Sequence, residues 1–306
     1  MFGPEYKMTS EKIYQELEAT VRSCMDHKID KKRIDEIVAV LITAFEEDLY
    51  NDLLLHFYNN SKDNYLYGHI ANNVILATAF ATSLGWSKQD IQDAACCAFG
   101  HDFGMKDYLD FFQKSTTLTE QETRGIHQHP QKSTEIFKPY FSPHVLEAMV
   151  DMHECVNGQG YPRGKTGVEI SFLAKLVSIC DVFEALTHAR AFRGEFSPYE
   201  AIKMLILKKD VIFERKMIKK FVEFMSIYPI GSLVCLNTGE VGIVIAAHAQ
   251  FPTRSKVRVL MNSEKQAQKE GRVVNLLNDP LLYINGPVES KDEKELRAAF
   301  ALSANR

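Results

Sequence analysis

Three things are scarce in this sequence: paired cysteines, long apolar runs and excess charge. The six cysteines, Cys24, Cys96, Cys97, Cys155, Cys180 and Cys235, show no C-x-x-C spacing. Neither a disulfide framework nor a zinc ribbon is therefore indicated, and free, buried thiols are expected. Polar or charged residues interrupt every apolar stretch within about a dozen residues, short of the ~20 needed to span a bilayer. The opening MFGPEYKMTSEK lacks the apolar core of a signal peptide, so a cytoplasmic chain without a membrane segment is expected. A net charge of −4 gives no overall attraction to nucleic acid, and DNA binding is not expected. Any anionic ligand must be held by a local basic cluster. Internal repeats and low-complexity segments are also missing.

What remains is ordinary globular material: 306 residues, 45% hydrophobic and 25% charged, enough for one large or two modest domains. Ile13, Leu17, Val21 and Cys24 recur at helical spacing, as do Ile34, Val38, Leu41 and Phe45, which predicts two amphipathic helices. A long apolar segment runs from His69 to Gly85. Ser87 with Asp90, Thr119 with Glu122, Ser142 before Pro143, and Ser197-Pro198 with Glu200 read as helix starts. His101 and Asp102 then fall near a helix C-terminus. After Pro229 the pattern changes: GSLVCLNTGEVGIVI alternates around a turn-like NTGE and predicts a hairpin, with KVRVLM and RVVNLL as further strands. The fold class expected is mainly α with a small C-terminal β appendage. The boundaries expected are an N-terminal helical region at 1–60, a helical domain at 61–227, a β extension at 228–290 and a tail at 291–306, which could form a short helix.

Chemistry is concentrated in the helical part. His69, the pair His101-Asp102, His129, His153 and Asp181 fall at intervals of 32, 28, 24 and 28 residues, roughly one helical hairpin each, so successive helices can aim them at one centre. Imidazole and carboxylate together suit iron, manganese, zinc or nickel, and a carboxylate can bridge two such ions. Each residue alone is weak evidence, because a histidine on an apolar helix is usually a satisfied core or surface residue. His56, His127, His144, His188 and His248 stay under that plainer reading, with His127 the nearest competitor to His129.

From His69 to Arg193 the chain resembles the HD-GYP family, a branch of the HD superfamily of metal-dependent phosphohydrolases. The motifs stand as HDFG at 101–104, HP at 129–130, HE at 153–154, NGQGYP at 157–162 and CDVFEALTHARAFR at 180–193; the segment YPIGSLVCLNTGEVGIVI resembles the β extension that often ends such domains. The resemblance implies an HD-type helical bundle that hydrolyses cyclic di-GMP, a bacterial second messenger, at a site with two divalent metal ions, iron first, with manganese, nickel or zinc as alternatives. It implies His69, His101, Asp102, His129, His153 and Asp181 as ligands, with Asp102 bridging, His69, His101 and Asp181 on one ion, and His129 and His153 on the other. Glu154 would orient a ligand or a metal-bound water, a surface glutamate being the plainer reading. Tyr161, in a glycine-rich loop, would contact substrate, and the same loop could recruit protein partners; a merely structural turn is the competing reading. Arg190 and Arg193 would clamp phosphates, or would be ordinary surface charges.

The sequence also departs from the family pattern. Met105 replaces the usual lysine after HDFG, leaving Lys106 one position on as an uncertain substitute, and Met152 replaces a histidine before His153. Ala189, Ala191 and Phe192 stand where aspartate, proline and tyrosine are frequent. Tyr65 stands where members with three ions carry glutamate, which favours two. These departures keep two alternatives open: a cyclic di-GMP-binding or partner-binding effector with little turnover, and an enzyme for another phosphate ester.

Overall fold

The computed structural model describes residues 8–47, 49–56, 65–112, 119–188, 195–248, 251–268, 271–288 and 296. The chain divides into two units, Met1–Glu195 with Leu205–Ile218, and Phe196–Met204 with Lys219–Arg306. The first is helical: α1 Ser10–Asp26, α2 Lys31–Glu46, α3 Tyr50–His56, α4 Tyr65–Ser83, α5 Lys88–Gly100, a 3-10 turn Phe103–Tyr108, α6 Leu109–Phe112, α7 Glu120–Ile126, α8 His129–Phe137, α9 Pro143–Asp151 and α10 Phe172–Thr187. Helices α11 Pro198–Leu207 and α12 Arg215–Met225 carry residues of both units.

The helix starts expected from sequence are present. Ser87 accepts a hydrogen bond from the Asp90 N–H and Ser142 from that of Val145, while Thr119 and Glu122 form a reciprocal capping box. Each satisfies amide groups that the first turn leaves without a partner. The two N-terminal helices bury the predicted faces, Ile13, Leu17, Val21 and Cys24 on α1 and Ile34, Val38, Leu41 and Phe45 on α2. Every residue of α4 from Gly68 to Ala81 is buried, which accounts for the absence of Asp, Glu, Lys and Arg there: a helix packed on all sides has no solvent face to charge. It contacts α5, α10, α1, α2 and α3 and so forms the axis of the unit. All six cysteines are free, and burial pushes the Cys96 thiol up to about 12. No helix among the described residues is long and apolar enough to cross a membrane.

One close approach sets the site. At Gly104 an added Cβ would lie 2.4 Å from the His129 carbonyl oxygen and 3.0 Å from the Ser133 nitrogen. The first turn of α8 therefore rests directly on the HDFG turn. Ser133, wholly buried, accepts from the Gly104 N–H at 2.8 Å and donates to the His101 carbonyl at 2.6 Å. That pair of bonds fastens the turn by both ends and sets His129 beside Asp102.

The second unit holds a five-stranded antiparallel sheet, order β4-β3-β2-β1-β5, made from β1 Leu233–Leu236, β2 Val241–Ala246, β3 Lys256–Met261, β4 Val273–Asn275 and β5 Ile284–Pro287. The expected hairpin is β1–β2, with Leu233 opposite Ile243, and its turn uses Gly239 at φ 85°, backbone that glycine adopts freely. Val234, Leu236, Val244, Val257, Val259, Val274, Leu276 and Leu282 form the core of this unit. Strand β5, pairing with β1, has no alternating signal in INGP, so the sequence pattern does not predict it. The helix considered for the C-terminal tail falls outside the described residues apart from Leu296.

Because α8 contacts the HDFG turn without room for a methyl group, Gly104→Ala should lower stability by about 1–3 kcal/mol. Denaturant unfolding measures the loss; a variant as stable as the wild type would show that α8 can give way.

Candidate metal centre

Six side chains converge from five places in the helical unit. His69 comes from α4, His101 and Asp102 from the turn after α5, His129 from the first position of α8, His153 from just past α9, and Asp181 from α10. Asp102 lies at the middle. Its Oδ2 is 3.3 Å from His69 Nε2, and its Oδ1 is 3.2 Å from His129 Nε2 and 3.7 Å from His101 Nε2. Asp181 Oδ1 is 3.1 Å from His69 Nε2 and 3.7 Å from His101 Nε2. His129 and His153 face each other, Nε2 to Nε2, at 2.9 Å. Two groups thus offer ligand atoms close enough to share an ion, His69–His101–Asp102 and Asp102–His129–His153, with Asp102 common to both.

The outward hydrogen bonds decide what the inward atoms are. His101 Nδ1 lies 2.7 Å from the Ala98 carbonyl and His129 Nδ1 2.7 Å from the Ile126 carbonyl, while His69 Nδ1 meets the Glu184 carboxylate. Carbonyls and carboxylates only accept, so each Nδ1 carries a proton, and in the neutral form that a metal requires each ring turns its Nε2 lone pair inward. Those lone pairs then confront the lone pairs of two carboxylates. His101 Nε2 is buried with no hydrogen-bond partner. Buried electron pairs that converge without protons between them are unfavourable unless a cation lies among them. The donor set, four imidazoles and two carboxylates, fits divalent transition metals.

The charge balance shows the cluster's demand for positive charge: burial lowers the pKa of His69 and His101, but Tyr65, Glu184 and the Asp102 and Asp181 carboxylates outweigh it and hold both above the ordinary imidazole value. Burial raises the pKa of Asp102, yet His101, His129 and His69 outweigh it and hold the carboxyl well below the usual range. Asp181, equally buried, is held down by His101 and His69. His153 is pushed down to about 3 by burial and then by His129, which keeps it in the neutral, ligating form.

Behind the ligands stands one more carboxylate, which is not among the residues expected from sequence. Glu184, wholly buried, bonds His69 Nδ1 with one oxygen and accepts from Asn72 Nδ2 at 2.9 Å with the other. Burial opposes its charge, but His188 and His69 bring its pKa down to about 2. His188, left among the ordinary histidines, lies 3.1 Å from Glu184. A carboxylate behind a ligating imidazole fixes the tautomer and strengthens the ligand. The signal available was spacing: Glu184 is three residues after Asp181, hence on the same helical face.

The other expected residues are distributed unevenly. Both oxygens of Glu154 are taken by backbone amides, Arg163 N–H at 2.6 Å and Lys165 N–H at 2.9 Å. It is buried rather than a surface glutamate, and through these two bonds it fastens the glycine-rich loop. Tyr161 does stand at the site, its ring parallel to those of His127 at 3.8 Å and His153 at 4.9 Å between centroids. Lys106 turns elsewhere, donating at 2.7 Å to the Met25 carbonyl in the last turn of α1, where a helix favours a cation. Met105 and Met152 are core residues, 6% and 0% exposed. Tyr65 stacks on His69 at 5.4 Å. Arg190 and Arg193 lie outside the described residues, with Ala189, Ala191 and Phe192.

An HD domain matches residues 47–217, more than half the chain, and a KOW domain associated with HD domain matches residues 233–296. The chain belongs to the HD domain family, in its HD-GYP branch. It is 28% identical over 71% of its length to a cyclic di-GMP phosphodiesterase of Pseudomonas aeruginosa and 23% identical over 67% to the cyclic di-GMP phosphodiesterase PdeB of Borreliella burgdorferi. It is also 28% identical over 48% of its length to 3'3'-cGAMP-specific phosphodiesterase 1 of Vibrio cholerae, covering 34% of that protein. The chain spans about half the length of the first two, 53% and 55%. Its fold is similar to that of Bd1817, an HDG"Y"P protein from Bdellovibrio bacteriovorus, with a TM-score of 0.57 and 16% identity over 72% of this chain and 73% of that one.

If Glu184 orients His69, Glu184→Gln should leave a folded protein whose metal affinity is about 10–100-fold weaker, as measured by competition with a chelator. Unchanged affinity would reduce Glu184 to a core hydrogen-bond partner.

Proposed function

We propose that this chain is a metal-dependent phosphodiesterase that opens a cyclic dinucleotide, cyclic di-GMP first among them, with two divalent ions, iron before manganese, nickel or zinc. The observation that carries the reading is Asp102, whose two oxygens face different histidines in a buried cluster of inward lone pairs. His69, His101 and Asp181 would hold one ion and His129 and His153 the other, with Asp102 shared. Divalent cations at such a site offset phosphoryl charge and acidify water, the two obstacles to attack on a phosphodiester.

The chain's own residues supply the rest. Glu184, Ala98 and Ile126 hold three imidazoles in the ligating tautomer through their Nδ1 protons. Tyr161, parallel to His153 and His127, offers a flat face beside the ligands for a base or sugar. Arg190 and Arg193 remain the proposed phosphate clamp. Lys106, bonded to Met25, is not placed to replace the cation missing at Met105, and one lost stabiliser of this kind lowers a rate by ~10²–10³. Slow turnover is the consequence, and it favours one second reading, an effector that binds the nucleotide and barely cleaves it. The glycine-rich loop as a docking point for protein partners, and a cytoplasmic location, belong to the same proposal.

The test is incubation of anaerobically iron- or manganese-loaded protein with cyclic di-GMP and, separately, 3'3'-cGAMP, followed by chromatography of the products. Metal-dependent conversion of cyclic di-GMP to linear dinucleotide or GMP is expected. Tight binding with no product would establish the effector; cleavage of 3'3'-cGAMP alone would correct the substrate. Elemental analysis should find two ions per chain in wild type, neither in Asp102→Ala, and one in His153→Ala. Full metal content in Asp102→Ala would remove the bridging role.

A further inference from the structure

Four charges beside the glycine-rich loop take no part in the ligand set. Asp151, the last residue of α9, is 1% exposed. Its Oδ2 accepts from Lys165 Nζ at 2.6 Å, and its Oδ1 is 3.5 Å from the Arg163 guanidinium. Glu147, one turn earlier, lies 3.3 Å from Lys165 Nζ and 3.9 Å from Arg163. Two carboxylates and two cations make a neutral quartet, in which Lys165 is the hydrogen-bonded partner of Asp151 and Arg163 an outer ion pair. Removing the Lys165 contact leaves the buried Asp151 carboxylate short of its hydrogen-bonded counter-charge.

The quartet grips the far limb of a loop already tied at its near limb. Tyr161 N–H donates to the His153 carbonyl at 3.1 Å. An added Cβ at Gly160 would lie 2.3 Å from the Cys155 nitrogen, so the loop there is in contact with its own base. Glu154 binds the amides of Arg163 and Lys165 from below, while Asp151 binds their side chains. Between these fastenings stands the ring of Tyr161, stacked on His153 and His127.

We propose that Asp151, acting through Lys165 and Arg163, is a positioning residue that holds Tyr161 as a fixed stacking platform for a flat ring of the ligand. The nucleobase as that ring rests on the function proposed above; the platform itself does not. Loss of the ion pair frees the far limb, and the ring leaves the imidazoles while the metal ligands stay in place.

The reporter is Tyr161→Trp in a Trp86→Phe background, which leaves a single indole whose emission the stacked imidazoles quench. Asp151→Asn or Lys165→Met in that background should raise the emission at least about twofold, and Lys165→Arg should restore the quench. With Tyr161 and Trp86 intact, Asp151→Asn should raise KM for cyclic di-GMP about tenfold with kcat within about twofold and metal content unchanged. The double variant should be no worse than either single one, since both break the same pair. Should Asp151→Asn fail to fold, Lys165→Met carries the same measurements. Emission unchanged in a folded, metal-replete variant would overturn the proposal. Altered emission with no binding of cyclic di-GMP even by wild type would support the platform and reject the nucleotide reading.

Discussion

The structure depends on one electrostatic problem, the convergence of lone pairs from four imidazoles and two carboxylates in a buried centre around Asp102. Left alone, such an arrangement would push its members apart or draw in protons. The surrounding fold holds it in place. Three histidines are held with Nε2 inward by acceptors behind them, two backbone carbonyls and Glu184. What the fold resists at this point is the energy a bound cation would gain.

Helix packing follows from the same demand. The ligands come from segments far apart in sequence, so each supporting element must be set to within fractions of an ångström. Ser133 and Gly104 achieve this for α8 by removing any side chain between helix and turn. An α4 buried on every side gives His69 a rigid mount. Of the buried amides on that helix, Asn72 donates to Glu184 and Asn73 to the His69 carbonyl, while the Oδ1 atoms of both have no hydrogen-bond partner among the described residues.

Positive charge is arranged sparingly. Lys106 is held at the end of α1, and Lys165 and Arg163 are balanced by Asp151 and Glu147. Among the described residues the cations that sequence places near the motifs are engaged in holding structure. Few of the described cations beside the centre are therefore left over for an anionic ligand, and the proposal of slow turnover rests on that scarcity.

The sequence by itself determined the helices, their caps, the hairpin and the six residues that meet, because each of these is written locally: apolar period, a capping serine or threonine, or a short motif around a histidine. It also determined the loss of the usual lysine at Met105. Only the tertiary structure decided the tasks of Glu154, Lys106, Glu184 and Asp151. Glu154 was legible as important but not as a loop fastener, since its partners are backbone amides that carry no sequence signal. Lys106 is drawn to a carbonyl 81 residues away, and strand β5 exists because β1 offers an open edge. Such roles depend on which groups approach within hydrogen-bond distance after packing, and hydrogen bonds act over about 3 Å, a range that spacing along a chain does not reveal.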